Sequence, residues 1–136
     1  MVTIETTVRV RYSETDQMGI VYYGNYAQYY EVGRVELLRH LGMSYRELEE
    51  EGTMLPVVKL ECKYIRPAKY DDALRIVTTI DEMPSTRITF KHEIFNEENV
   101  LLNQGQVTLV FVDIKSGRPR KAPASVESIF APHFAV

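Results

Sequence analysis

Residues 25–41 read NYAQYYEVGRVELLRHL, and their aromatic and apolar members recur at helical spacing. Tyr26, Tyr30, Gly33 and Leu37 form one stripe, with Tyr29, Val32, Glu36 and Arg39 beside it. That period predicts a helix with one buried face. Asn25 stands at the N-cap position and Gln28 follows three residues later, the spacing of a capping box. At about 1.5 Å per residue the helix runs roughly 25 Å, long for so small a domain. A stripe so rich in tyrosine has to be covered, and the rest of the chain must supply the cover.

On either side the period changes to two. Ile4, Thr6, Val8, Val10 and Tyr12 alternate with Glu5, Arg9 and Arg11, which predicts a half-buried strand over 3–12. A short helix follows at 44–52, capped by Ser44 with Glu47 and ended by Gly52. Val58, Leu60, Cys62 and Tyr64 then alternate with Lys59, Glu61 and Lys63. Leu74, Ile76, Thr78 and Ile80 make the next strand, and Ile88, Phe90, His92 and Ile94 the one after. Asn96-Glu97-Glu98-Asn99 is a hairpin turn leading into a long strand over 100–114, bulged at Gly105. Ser116-Gly117 turns the chain again, and 123–130 form a last short helix with Pro123 near its start. Strands at hairpin spacing imply a mostly antiparallel sheet, so the class is α+β. A curved sheet of about five strands wrapped around one central helix buries the tyrosine stripe. The other sheet face and one edge stay open, which invites pairing with a second copy.

Composition narrows the function. The 136 residues suit one domain, spanning 1–136, and 45% hydrophobic with 26% charged residues is an ordinary globular balance. A single cysteine, Cys62, excludes an internal disulfide framework. His40, His92 and His133 are too scattered to suggest a metal site, and Asp71-Asp72 reads as a turn. His92 and Cys62 fall on inward strand faces and read as core residues. A net charge of -3 argues against nucleic acid as partner. The first residues lack a signal-peptide pattern and no run reaches the ~18 apolar residues of a membrane span, so a cytoplasmic protein is expected. Five of the nine tyrosines lie between positions 22 and 30. Stacking on bases is one use for such a cluster, but Tyr26 and Tyr30 sit at core spacing and no basic groove accompanies them.

The chemistry concentrates between the first strand and the long helix, in Arg11-Tyr12-Ser13-Glu14-Thr15-Asp16-Gln17-Met18-Gly19-Ile20-Val21-Tyr22-Tyr23-Gly24-Asn25-Tyr26. Glu14 and Asp16 lead into apolar sequence, where a carboxylate is costly unless used or paired. The loop also feeds a helix N-terminus, whose free N–H groups and dipole attract developing negative charge. A carboxylate beside such a site suits hydrolysis of an ester-like bond, with the amides holding the oxyanion at about 3 kcal/mol per donor. The ordinary alternative is that Asp16 shapes an Asx-turn and Gly19 permits a positive φ. On chemistry alone that alternative is the weightier.

An aspartate, a glycine three residues on, a valine and then aromatic residues entering a long helix are matched by Asp16, Gly19, Val21, Tyr22 and Tyr26. With them the chain resembles the 4-hydroxybenzoyl-CoA thioesterase family of hotdog-fold acyl-CoA hydrolases. The resemblance continues through Arg34 to Arg39, residues 64–72 and Ser116-Gly117-Arg118-Pro119, and so covers essentially the whole chain. It implies a hotdog fold and hydrolysis of an acyl- or aryl-CoA to free acid and CoA, with no metal and no cofactor besides the substrate. It implies a homodimer or homotetramer with sites at the subunit interface. By resemblance Asp16 is nucleophile or general base, and the Tyr23 backbone N–H polarises the carbonyl. Position 23 is a histidine in the branch that resembles the Tol-Pal-associated thioesterases, whereas Tyr12 matches that branch, where its hydroxyl would orient the carboxylate or water. Gly19, Val21, Gly24 and Tyr26 are expected to line the substrate site. Arg87, Arg118 and Arg120, with Lys121, are candidates for the CoA phosphates, and Arg66 and Lys69 could serve equally. Glu31 corresponds in kind to the helix glutamate of another hotdog branch, although pairing with Arg34 at helical spacing, as for Glu36 with Arg39 or His40, is the simpler reading. A non-catalytic acyl-CoA binding module is the alternative from another class. A hydratase ranks below both, because no histidine follows Asp16 until His40.

Overall fold

In the computed structural model, which describes residues 1–134, the alternating segments form one five-stranded antiparallel sheet. Its strands are β1 (Val2–Arg9), β3 (Val57–Tyr64), β4 (Ala73–Ile80), β5 (Arg87–Phe95) and β6 (Leu101–Val110), in spatial order β1-β4-β5-β6-β3. A small second sheet pairs β2 (Thr53–Met54) with β7 (Val112–Asp113). The long helix α1 (Tyr26–His40) lies across the inner face of the large sheet. This is the hotdog arrangement, and it follows from the two periods: Leu74, Ile76 and Ile80 of β4 and Ile88, Phe90 and Ile94 of β5 are buried against Tyr29, Tyr30 and Leu37 of α1. Helix α2 (Tyr45–Glu50) is capped by Ser44, whose hydroxyl accepts the Glu47 amide at 3.2 Å. Helix α3 (Ala124–Phe134) buries Val126 and Phe130. No helix among the described residues is long and apolar enough to cross a membrane.

Two glycines let the helix close on the sheet. A Cβ on Gly33 would meet Thr78 Oγ1 of β4 and sit 3.1 Å from Ile76. One on Gly105 of β6 would collide with the Tyr30 hydroxyl and the Glu61 carbonyl. Between them lies a polar seam inside the core. Tyr30 stacks on His92 with ring centres 4.6 Å apart, His92 Nδ1 meets Thr78 Oγ1 at 3.0 Å, and Tyr30 donates to the Asn103 side-chain Oδ1.

Several sequence expectations are corrected. The first strand ends at Arg9, and Tyr12 is not on its inward face but on a 3-10 turn over Tyr12–Glu14, 77% exposed. Here the chain bends because the Glu14 carboxylate takes the Arg11 amide at 2.9 Å. Asn25 does not cap α1 through its side chain, which donates to the Glu14 carbonyl at 2.8 Å, so the expected capping box with Gln28 is not formed there. Instead a 3-10 turn over Tyr23–Asn25 leads into the helix. Gly105 marks no bulge: the β6 register runs unbroken through it on both sides, and the irregularities lie between Val57 and Lys59 and between Ile94 and Phe95. The last helix extends past 130 with Pro132 inside it.

Candidate active site

The loop joining β1 to α1 is fixed by hydrogen bonds at close intervals. The Asp16 amide donates to the Ile20 carbonyl at 2.9 Å and the Gly19 amide to the Asp16 carbonyl at 3.0 Å. The Asp16 side chain closes the same turn, its Oδ1 accepting the Met18 amide at 2.8 Å. Gly19 takes φ +75°, the left-handed region where glycine carries no Cβ penalty. Among the described residues Asp16 Oδ2 accepts no hydrogen bond. Val21, buried, sends its amide to the Ala68 carbonyl at 2.8 Å, and Ile20 bridges to Lys69. These bonds tie the loop to the segment leaving β3.

The result is a pocket of about 310 Å³. Asp16, Met18, Ile20 and Val21 form one side, Tyr23 and Tyr26 the start of the helix, and Tyr64, Ile65, Arg66 and Pro67 the other wall. Tyr26 is buried and its oxygen accepts the Ala68 amide at 3.3 Å. Tyr64 packs edge-on to Tyr26 at 5.5 Å and donates to the Tyr23 carbonyl at 3.1 Å. Burial pushes the Tyr26 phenol above its ordinary range, so it stays a neutral hydroxyl at physiological pH. At the mouth of the helix the Tyr22 amide is taken by Glu14 and the Asn25 amide by Tyr22, each at 2.9 Å. The Tyr23 and Gly24 amides, between them, are the first-turn donors that have no carbonyl within the turn to bond. Gly24 is exposed, and a Cβ there would press on the Tyr22 ring at 2.9 Å.

The other sequence candidates lie elsewhere. Tyr12 makes no hydrogen bond to Asp16: its ring sits edge-on to Tyr70 at 5.9 Å and its carbonyl accepts the Thr15 hydroxyl. Arg87 opens β5 opposite Val110, and Arg118 and Arg120 bond to Asp113 and Phe111 beyond the end of β6. The pocket instead abuts the Tyr64 end of β3, opposite Asn103. Seven residues of β6 separate these ends, roughly 23 Å at strand rise. Arg66, exposed, is the basic side chain on the pocket wall itself. Glu31 is exposed on α1, lies outside the pocket and does not pair with Arg34, whereas Glu36 does pair with Arg39 at 3.0 Å. Arg34 bonds the Tyr45 hydroxyl instead, at 3.3 Å. A larger hollow of about 510 Å³ occupies the sheet's outer face among Glu61, Lys63, Lys91 and Gln104, away from Asp16. Among the described residues no three His, Cys, Asp or Glu side chains cluster as metal ligands would. On the far wall, sequence reasoning named Arg66 as a phosphate candidate but passed over Tyr64, Ile65 and Pro67, which come from some forty positions downstream of the loop.

Residues 10–130 match the thioesterase-like superfamily. The chain is 41% identical over 123 residues to the acyl-CoA thioester hydrolase YbgC of Escherichia coli, covering 90% of this chain and 92% of that protein. It is 33% identical over 124 residues to the acyl-CoA thioesterase YbgC of Haemophilus influenzae, covering 90% of each. In three dimensions it is similar to the DHNA-CoA thioesterase of Staphylococcus aureus, with a TM-score of 0.85 at 30% identity over 98% of this chain and 85% of that one.

Proposed function

The chain belongs to the thioesterase-like superfamily and is a thioester hydrolase, and from that premise we propose that it cleaves acyl-CoA by carboxylate chemistry centred on Asp16. One observation carries this reading: Asp16, with Oδ2 unbonded among the described residues, and Tyr23, which opens the 3-10 turn leading into α1, line the same pocket. The thioester carbonyl lies against the Tyr23 amide, with that of Gly24 beside it, so that negative charge developing on its oxygen meets fixed dipoles. Asp16 then either attacks the carbonyl carbon, giving a mixed anhydride that water hydrolyses, or takes a proton from the water that attacks. In both routes the carbon–sulfur bond breaks and the thiolate of CoA leaves. Val21, Tyr26 and Tyr64 give the acyl group an apolar wall, and Arg66 stands where the polar arm of CoA would leave the pocket. The bound substrate is the whole cofactor requirement of this scheme.

The same proposal makes the working unit a homodimer. Strand β3 is a sheet edge whose Val57, Val58, Leu60 and Tyr64 are each about half exposed. A free edge with that apolar content is a template for another strand, and twofold pairing of two copies is antiparallel. Antiparallel pairing sets the Val57 end of one copy beside the Tyr64 end of the other. The basic turn of Arg118, Arg120 and Lys121, with Arg87, then approaches the pocket of the neighbouring copy and can hold the CoA phosphates.

The experiment is thiol release from a panel of acyl- and aryl-CoAs by wild type, Asp16→Asn and Asp16→Ala. A loss of at least about a hundredfold in kcat is expected from each variant, with melting temperatures unchanged. Undiminished turnover in both would remove Asp16 from the mechanism.

A further inference from the structure

Resting on the assignment of Asp16, we infer that Glu14 is a positioning residue that sets the catalytic loop against the turn, at the head of α1, that supplies the oxyanion donors. Glu14 is 7% exposed, unusual for a carboxylate two residues from a solvent-facing turn. Its Oε1 accepts the Arg11 amide at 2.9 Å and the Tyr29 hydroxyl at 2.9 Å, and its Oε2 accepts Arg11 Nε at 3.0 Å. Tyr29 lies in the first turn of α1 and Arg11 just beyond β1, so one carboxylate joins sheet to helix.

The main chain of the same residue does a second job. The Glu14 carbonyl accepts the Tyr22 amide at 2.9 Å and Asn25 Nδ2 at 2.8 Å. Those two residues flank Tyr23 and Gly24, the turn whose amides face the substrate carbonyl. Thr15, next in sequence, pairs with Val21, and Asp16 follows. Glu14 therefore holds both halves of the site: the turn carrying the amides through its carbonyl, and the loop carrying Asp16 through the chain two residues on. Its carboxylate does not line the pocket of Asp16 and is occupied by these three bonds, so its part is structural and not that of the base. Burial alone would raise its pKa, but the bonds from the Arg11 amide, Tyr29 and the Arg11 guanidinium outweigh this and keep it ionised.

A side-chain substitution leaves the Glu14 carbonyl and the turn it holds in place, so its effect passes through the loop carrying Asp16 and should vanish once Asp16 is disabled. The test is a double-mutant cycle of Glu14→Gln with Asp16→Asn, read as kcat and KM for thiol release. Glu14→Gln keeps the side-chain shape and should lower kcat about tenfold with KM within about twofold, and cost no further activity in the Asp16→Asn background. Tyr29→Phe, which removes a single bond to Glu14, should lower kcat about threefold with the same dependence on Asp16, and it keeps the test intact if Glu14→Gln does not fold. Multiplying losses in the double variants, or wild-type kcat in Glu14→Gln and Tyr29→Phe, would overturn the inference while leaving Asp16 assigned. Full activity in Asp16→Asn alone would instead remove the premise and the inference with it.

Discussion

The buried imidazole of His92 makes the fold sensitive to mild acid. His92 is 1% exposed, between Tyr30 and Phe90, with Nδ1 on Thr78 and Nε2 without a partner among the described residues. Burial first, and then the nearby Arg34 guanidinium, pull its pKa from 6.5 down to about 3. Between those values the unfolded chain binds a proton that the folded chain refuses. Stability is therefore full above the unfolded pKa and falls as pH drops toward the folded one, by ~1.4 kcal/mol per unit. From about pH 7 to about pH 5 the loss comes to about 2 kcal/mol. At roughly 2.1 cal/mol/K of unfolding entropy per residue, that lowers the melting temperature by about 7 °C. The assay is thermal unfolding by circular dichroism across this range, at one protein concentration, for wild type and His92→Phe. The variant keeps the ring stacked on Tyr30 but cannot titrate, so its melting temperature should fall by several degrees less over the same interval. Parallel curves for the two proteins would refute the assignment of a neutral, buried His92.

Three further outcomes follow from packing, from the open edge and from the basic turn. Gly105→Ala drives a methyl group into the Tyr30 hydroxyl and the Glu61 carbonyl, and should cost about 2 kcal/mol in a urea unfolding midpoint, with an unchanged slope. If the proposed dimer forms through β3, Leu60→Lys should yield monomers in sedimentation and lose most thiol-release activity, while Arg118→Ala with Arg120→Ala should leave the association state unchanged and raise KM several-fold; a fully active monomer would contradict the proposed shared site.

The elements that read correctly from the sequence are those whose period was long enough to repeat. β4 and β5 each present a full alternation, buried on Leu74, Ile76, Thr78 and Ile80 and on Ile88, Phe90, His92 and Ile94. Helix α1 likewise buries Tyr26, Tyr30, Gly33 and Leu37 as its stripe predicts. Misreadings arose where a polar side chain had two local uses. Asn25 is a good cap by type, yet the Glu14 carbonyl competes for its amide group and wins. Gly105 looked like a bulge because glycine in a strand usually marks one, but here the constraint is the approach of Tyr30 from another element. Site residues divide the same way. Asp16, Val21, Tyr23 and Tyr26 are close in sequence and share one pocket, whereas its far wall at Tyr64 to Pro67 depends on how β3 is threaded. Nor does hairpin spacing reveal at which end of a sheet a charged turn will fall, which is why Arg87, Arg118 and Arg120 stand remote from Asp16 within one chain.

On the proposed mechanism, the Asx-turn and catalytic readings of Asp16 are parts of one arrangement. Oδ1 is consumed by the Met18 amide, which restrains rotation about the side-chain bonds and fixes the direction of Oδ2. A carboxylate free at both oxygens would sample several rotamers and deliver a reactive one only part of the time. Here the turn that Gly19 permits holds the group in a single orientation before substrate arrives. Such preorganisation is the condition under which a carboxylate with one free oxygen can act alone. The bonding of the loop fits this: the Met18 amide that holds Asp16 Oδ1 comes from its own turn, and the carbonyls of Glu14, Ala68 and Tyr22 accept the amides that anchor the rest of the loop.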